Sequence, residues 1–259
     1  MSVLLSFDLG ERLARLSLSR PEAKNALRPL DWQAMRGHLE DLARHQEVRA
    51  LLVSGVAGAF CAGGDVKTMP ERLAMPPADR QRQLEQDGRV VLLLQKLAIP
   101  VVAAVSGPCM GAGLSLLLAC DLRIAAESAS FGAPFHRLGL SCDFGLSWLL
   151  SRTVGHGRAM HLLFSDRPLD AQQALAWGLV SEVVPDAQLD DHVRSLCDRL
   201  VHGPRQAHTA TKQAVVQSPQ HGLQAALVWE ARAQSLLGHT EDAQEGVRAR
   251  LEKRPPRFR

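Results

Sequence analysis

Apolar residues recur along this chain with a period of two in some segments and about 3.6 in others. The first pattern predicts a strand hairpin over residues 3–9 and 12–18, with its turn at Gly10. Short apolar runs predict further strands at residues 50–55, 101–105, 122–125 and 181–184. Helical spacing predicts helices at residues 31–44, 80–97, 112–119, 145–154, 157–164, 170–176, 188–201, 204–217, 222–237 and 240–252.

The order of these elements indicates the fold class. Strands alternate with helices over the first 145 residues, which is typical of a largely parallel sheet with helices packed against it. The last third is mostly helical. We therefore predict an α/β fold with a C-terminal helical layer. Residues 70–79 contain the pair Pro76-Pro77 and are expected to be irregular or mobile.

Composition narrows the possible classes of protein. The chain has 259 residues, of which 46% are hydrophobic and 22% charged, as in folded domains rather than disordered chains. This length suits one large domain, or one domain with an appendage. No apolar stretch approaches the roughly 20 residues of a membrane span. Residues 1–8 carry no basic region and include Asp8, so we expect no secretory signal and a cytoplasmic protein.

The charge is unevenly placed. The net charge is +3, but residues 246–259 alone sum to +5 and the other 245 residues to −2. A near-neutral body argues against a broad nucleic-acid surface. An RNA-binding tail is a distant alternative, because only Phe258 could stack on a base there. The basic residues of the tail are Arg248, Arg250, Lys253, Arg254, Arg257 and Arg259.

The cysteines and histidines predict no metal site. Five cysteines are an odd number, they form no C-x-x-C pair, and most lie in apolar surroundings. They suit buried thiols in a reducing compartment better than a disulfide framework. The histidines are scattered without ligand spacing.

Two predicted strands each lead into a glycine-rich turn that opens a helix. These turns are residues 58–66 and residues 107–115. A dinucleotide fingerprint in the second turn would need a glycine at Leu116, and no G-x-S-x-G nucleophile elbow exists in the chain. Two interpretations remain. The glycines either allow tight packing, or the two turns aim backbone N–H groups at one developing oxyanion.

With both turns and their neighbours considered, the chain resembles the crotonase superfamily, the enoyl-CoA hydratase/isomerase family. The resemblance covers nearly the whole chain, up to Glu252-Lys253-Arg254. The matching runs are Arg20-Pro21-Glu22-Ala23-Lys24-Asn25-Ala26-Leu27, Phe60-Cys61-Ala62-Gly63-Gly64-Asp65-Val66, Pro100-Val101-Val102-Ala103-Ala104-Val105-Ser106-Gly107, Gly111-Ala112-Gly113, Cys120-Asp121, Phe131-Gly132, Val154-Gly155 and Gly178-Leu179-Val180.

The resemblance implies a crotonase-like spiral of ββα units over residues 1–200 and a helical trimerisation region over residues 201–259. It implies an acyl-CoA thioester substrate, no separate cofactor, and a homotrimer or dimer of trimers. The backbone N–H groups of Gly64 and Ala112 would form the oxyanion hole. The residues implied to contact substrate or CoA are Lys24, Ala26, Ala62, Asp65, Val66, Met110, Ser115, Pro134, Phe135 and Lys253. Asp65, just before a helix, is also placed to cap it.

One departure from the family bears on the reaction. In a typical hydratase of the family, two glutamates activate water and protonate carbon. Ser115 and Phe135 stand at their positions here. Asp143 resembles the position where several family isomerases carry an acid. Leu140, Phe144 and Trp148 would raise its pKa by burial, as suits a proton shuttle, although Asp143 could instead cap a helix. His136 and Cys142 are weaker candidates, as base and nucleophile.

One carboxylate and an oxyanion hole suffice for double-bond migration. The leading hypothesis is therefore an acyl-CoA isomerase of fatty acid metabolism, converting 3-enoyl-CoA to 2-enoyl-CoA or rearranging a related ring substrate. The alternatives are a hydratase or lyase that uses Asp143 and water, and a non-catalytic acyl-CoA-binding protein. No membrane or nucleic-acid partner is predicted. Lys24 and the basic tail are expected to face the phosphates of CoA.

Overall fold

The computed structural model describes residues 2–8, 10–165, 167–218 and 221–259. Two sheets lie within these residues. The larger contains β1 (Val3–Asp8), β2 (Leu13–Leu18), β3 (Ala50–Gly55), β4 (Val101–Val105), β6 (Leu122–Ala126) and β9 (Glu182–Val184), in that spatial order. The smaller contains β5 (Pro108–Met110), β7 (Ser130–Gly132) and β8 (Leu169–Asp170).

The pairing confirms the predicted α/β class. β1 and β2 form the antiparallel hairpin, and every later pairing of the larger sheet is parallel. Helices connect and cover these strands. They are α1 (Pro29–Leu42), α2 (Met69–Ala74), α3 (Pro77–Lys96), α4 (Ala112–Leu118), α5 (Leu146–Val154), α6 (His156–Phe164), α7 (Ala171–Ala176), α8 (Leu189–Val201), α9 (Arg205–Gln217), α10 (Leu223–Leu237) and α11 (Glu241–Leu251).

Both faces of the larger sheet are buried. Along β3, Leu51 and Val53 join the main core, whereas Ala50 and Leu52 join a second cluster on the opposite face. This alternation follows from the two-residue period of a strand. The second face is covered by α8. Sheets covered on both faces favour the continuous apolar runs that the sequence displays.

The expectation of an irregular segment at residues 70–79 is wrong. Pro70 lies in the first turn of α2, and Pro77 is the first residue of α3. Proline is tolerated there because the first N–H groups of a helix have no intrahelical partner. The smaller sheet was not predicted at all. Its strands have two or three residues each, too few for a periodic signal.

The C-terminal helices attach to the core through a buried cation. Lys212 of α9 forms a 2.8 Å ion pair with Asp121 and donates to the carbonyls of Leu94 and Ile99. In contrast, α10 contains no buried residue. Among the described helices, none is both long and apolar enough to cross a membrane.

Candidate active site

The first glycine-rich turn is held by the segment at residues 24–27. Ala62 N–H donates to Lys24 O at 2.9 Å, Leu27 N–H to Gly63 O at 2.8 Å, and Asp65 N–H to Leu27 O at 2.8 Å. The N–H groups on either side of Gly64 are both in use, since Gly63 N–H donates to Cys61 Sγ at 3.4 Å. In the described part of the chain, the Gly64 N–H donates to no backbone carbonyl.

The second turn runs beside the first. Met110 N–H donates to Cys61 O at 2.8 Å, and Gly111 N–H donates to Gly132 O at 2.8 Å. Ala112 is the first residue of α4, so its N–H has no partner within that helix. The two turns thus leave the N–H groups of Gly64 and Ala112 available to a ligand.

The glycines permit this close approach. Gly63 has a φ of +98°, and a Cβ there would lie 3.0 Å from Met110 O and 3.9 Å from Ala112 N. A Cβ on Gly113 would lie 2.7 Å from the Cβ of Cys61. Tight packing and exposed donors are therefore not alternatives here, because the packing brings the donors together.

A pocket of about 330 Å³ opens at these donors. It contains most of the residues that the sequence singled out. Those lining it are Ala62, Gly64, Val66, Ala112, Pro134, Phe135, Cys142 and Asp143. A second pocket, of about 720 Å³, also contacts Asp143 and Phe144 and continues along α3.

A strained turn before α5 positions Asp143. Phe144 has a φ of 49° and Gly145 a φ of 75°. The Phe144 ring packs on Trp32 with the ring centroids 4.5 Å apart. Buried Ser115 donates from Oγ to the carbonyl oxygen of Asp143 at 3.2 Å. Positive φ at a bulky residue is costly, and such strain persists where the surroundings fix the conformation.

The Asp143 carboxyl is poised to exchange a proton. Its Oδ1 is buried without a hydrogen-bond partner, and α5 has no side-chain cap. Burial raises the pKa of Asp143 to about 6, with Arg72 and Arg80 opposing the shift and Asp87 adding to it. The predicted direction of the shift is confirmed. A pKa near neutrality suits a group that takes and returns a proton.

Asp65 has a structural role in this chain. Its carboxylate accepts from Lys67 N–H at 2.9 Å, capping a short 3-10 helix (Val66–Thr68), and pairs with Arg20 at 2.7 Å. Burial alone would raise the pKa of Asp65, but these partners outweigh it and hold the pKa below its usual value.

The remaining predicted residues lie outside the pocket lining. Lys24 and Ala26 belong to the segment that supports the first turn, and Met110 and Ser115 stand behind the second. His136 lies on a 3-10 helix (Pro134–Leu138) at the pocket edge.

The basic tail folds against acids of α11. Arg254 contacts Glu245 and Glu252, each at 2.6 Å, and Arg259 pairs with Glu241. The Arg254 hydrogen bond lowers the pKa of Glu245 to about 2. Residues 241–245 contain three acids, so residues 241–259 together carry a net charge of +2, compared with +5 for residues 246–259. Within one chain, Lys253 lines a separate pocket with Arg250 and Arg254.

Sequence reasoning missed three charged residues near Asp143. Arg72 and Arg80 line the pocket, and Asp87 is buried on α3. Arg72 lies in the segment expected to be irregular, for which the sequence predicts no helix face. The sequence does contain a signal for Asp87. It follows Leu84 by three residues and precedes Val91 by four, which places it on the apolar face of the predicted helix.

The pocket therefore has two walls. We call residues 62–64 and 111–112 the loop wall, and Arg72, Arg80 and Asp143 the side-chain wall. The loop wall offers two N–H donors to an oxyanion, and the side-chain wall offers a proton carrier beside two cations. Among the described residues, no group of three His, Cys, Asp or Glu side chains is placed to hold a metal ion.

Comparisons with known proteins identify the family. The family model described as enoyl-CoA hydratase/isomerase matches residues 9–259. The chain is 39% identical to a "Probable enoyl-CoA hydratase" of Rhodobacter capsulatus, over 98% of this chain and 97% of that protein. It is 36% identical to the 1,2-epoxyphenylacetyl-CoA isomerase of Escherichia coli K12, over 94% and 93%.

A solved structure shares the fold. The enoyl-CoA hydratase/isomerase of Cupriavidus metallidurans CH34 superposes with a TM-score of 0.93 at 31% identity, covering 100% of this chain and 96% of that one. The predicted crotonase-like spiral is thereby confirmed. The chain belongs to the enoyl-CoA hydratase/isomerase family of the crotonase superfamily, whose members act on CoA thioesters.

Proposed function

We propose that this protein is an acyl-CoA isomerase that moves a double bond from the 3-position to the 2-position of an enoyl thioester. The observation that carries the proposal is the pocket of about 330 Å³, which joins the two free N–H groups to a single lining carboxylate. Ser115 and Phe135 stand where the glutamates of a hydratase would stand. A single acid is enough when no water is added.

The reaction uses the two walls in sequence. Asp143 takes a proton from C2 of the 3-enoyl-CoA, and the negative charge moves to the thioester oxygen. That dienolate oxygen accepts from the Gly64 and Ala112 N–H groups, whose removal would cost roughly 3–4 kcal/mol each. Asp143 then returns its proton at C4. The product is the conjugated 2-enoyl-CoA, and Asp143 ends in its starting state.

The test compares Asp143→Asn with the wild type on 3-enoyl-CoA and on 2-enoyl-CoA. We expect isomerisation to fall by about 10²–10⁴-fold, as when a general acid–base group is removed. Binding of a saturated acyl-CoA should survive in the variant, and Asp79→Asn, an exposed acid on α3, is the control. Full isomerase activity in Asp143→Asn would reject the proposal. Binding without turnover in the wild type would indicate a non-catalytic binder.

Hydration is the second candidate, and Asp87 is the observation that favours it. This carboxyl is buried on α3, close enough to Asp143 to raise the pKa of Asp143. If Asp87 assists an ordered water, Asp87→Asn should abolish hydration of 2-enoyl-CoA. If the protein is an isomerase, wild-type hydration should be negligible beside isomerisation. The same substrates therefore discriminate the two functions.

We also propose that the chain assembles as a trimer or a dimer of trimers. The support is α10, whose Leu223, Leu227, Val228 and Leu236 are exposed in one copy. Apolar surfaces of this kind are favourable to cover with another chain. Sedimentation of the wild type should give three or six copies. Leu227→Glu should give smaller species, whereas Leu30→Glu, at an exposed leucine of α1, should not. A monomeric wild type would reject the assembly.

A further inference from the structure

Two arginines of the side-chain wall form no hydrogen bond or ion pair with the residues that the structure describes. Arg72 is only 9% exposed, and its Nε lacks a hydrogen-bond partner. The Nε of Arg80 is buried and unpartnered as well. Neither guanidinium forms an ion pair with any described residue. A buried cation with unused donors is costly to keep, so such groups are usually paired with an anion.

Both cations lie near the path of an acyl chain whose thioester is bound at Gly64 and Ala112. Arg72 Nη1 lies 4.0 Å from the position that a Cβ on Gly64 would take. Arg80 lines the pocket at the donors and also the adjoining pocket along α3. Apart from Arg80, Gln81, Glu85 and Asp143, that adjoining pocket is lined by apolar residues and glycine.

The neighbouring aspartates do not neutralise these arginines by contact. Asp143 Oδ1 and Asp87 Oδ2 are themselves buried without hydrogen-bond partners. Burial keeps the pKa of each near 6 although Arg72 lowers both. The two cations therefore retain free N–H groups, and the planar fork of a guanidinium matches a carboxylate in geometry and charge.

We propose that Arg72 and Arg80 bind a second carboxylate on the acyl chain, so that the substrate is the CoA monothioester of an unsaturated dicarboxylic acid. The proposal rests on the proposed function only in placing the thioester at Gly64 and Ala112. It does not depend on which reaction follows. Recognition of the free carboxylate would set the acyl specificity and orient the chain past Asp143.

Calorimetry with saturated thioesters tests this without turnover. Adipyl-CoA and hexanoyl-CoA have the same chain length and differ in the terminal carboxylate, as do succinyl-CoA and butyryl-CoA. We expect the wild type to bind the carboxylated member of at least one pair about tenfold more tightly, since charged hydrogen bonds exchange for water. Arg72→Met and Arg80→Met should each bring that ratio close to one. Arg72→Lys should keep part of it.

Arg82→Met is the matched control, because Arg82 is an exposed arginine of α3 paired with Asp79. It should keep the wild-type ratio. Equal wild-type affinity for both members of each pair overturns the proposal. So does a ratio that neither methionine variant changes. If Arg72→Met does not fold, the wild-type ratio and Arg80→Met still decide. A protein without isomerase activity but with the expected ratio would reject the proposed reaction and leave this specificity standing.

Discussion

The loop wall and the side-chain wall of the pocket are built in different ways. The loop wall presents backbone N–H groups, and its geometry depends on glycines that let two turns touch. The side-chain wall presents charges from the consecutive helices α2 and α3 and from the turn before α5, which is distant from them in sequence. Backbone donors tolerate few substitutions, whereas side chains can change the reaction without altering the fold.

The difference agrees with the known relatives. This chain is 39% identical to one protein with a hydratase name and 36% identical to one named as an isomerase. A shared oxyanion site serves any reaction that passes through an enolate. Under the proposed function, the charged side chains on the opposite wall determine which atoms gain and lose protons. The comparison predicts that loop-wall variants affect every reaction, and side-chain-wall variants affect particular ones.

The largest expected effect on stability is that of Gly63→Ala in the loop wall. A Cβ would meet Met110 O at 3.0 Å in a left-handed conformation, so we expect a loss of about 3 kcal/mol in unfolding free energy. Displaced donors should lower turnover about a hundredfold with every substrate. Gly64→Ala is the control for stability, since its Cβ would approach nothing nearer than 4.0 Å. Equal stability of the two variants would contradict the packing argument.

The next effect concerns the proton carrier of the side-chain wall. Because burial raises the pKa of Asp143 to about 6, its basic form is lost as the pH falls below that value. kcat/KM for isomerisation should therefore fall about tenfold per pH unit below 6 and stay level above 7. Rates measured from pH 4.5 to 8 with a pH-independent substrate would check this. A flat profile across pH 6 would exclude Asp143 as the base.

A smaller effect is expected where the two walls touch. Ser115 lies on α4, behind the loop wall, and donates to the Asp143 carbonyl at 3.2 Å. Ser115→Ala should lower stability by about 1 kcal/mol, the typical value of one hydrogen bond. It should also lower kcat severalfold with little change in KM. Ser151→Ala removes a hydroxyl that bonds Ser147 O on α5 and should leave kcat unchanged.

The smallest effect is on stability, at Asp87. Burial raises the pKa of Asp87 to about 6, so the folded state holds this proton more tightly than the unfolded state. The stability contributed by Asp87 is present below pH 4 and lost as the pH rises through 6. Asp87→Asn should therefore be more stable at pH 7 by roughly 1 kcal/mol or less, and its stability should vary less between pH 5 and 7.

Urea unfolding at pH 5 and pH 7 would measure this difference. Asp79→Asn, at an exposed acid on the same helix, should leave the pH dependence unchanged. A variant that is less stable than the wild type at pH 7 would mean that the ionised Asp87 carboxylate is favourable in the fold.

The elements that sequence predicted best are those with many residues and one dominant period. The β1–β2 hairpin, the parallel strands and the helices after residue 145 lie within a few residues of their predicted bounds. The prediction for residues 70–79 fails because proline, which breaks a helix in its interior, fits the first turn of both α2 and α3. The smaller sheet has strands too short for any local pattern.

The net charge of the basic tail was also a poor guide to its surroundings in the fold. The sum of +5 covers residues 246–259 and leaves out Glu241 and Glu245, which lie in the first half of α11. Arg254 and Arg259 turn back onto these acids. Whether distant acids and bases pair depends on how the backbone folds. A sum of charges over one stretch of sequence carries no information about that pairing.

By itself, the sequence determined the α/β class, the family and the two glycine-rich turns, because period, glycine and motif order are local properties of the chain. It also determined that Asp143 is an acid in apolar surroundings. Only the tertiary structure decided what stands beside that acid. Arg72, Arg80 and Asp87 reach it through the packing of α2 and α3 against the turn before α5. Burial in this packing raises the pKa of Asp143 and of Asp87 and so sets the chemistry available to the pocket.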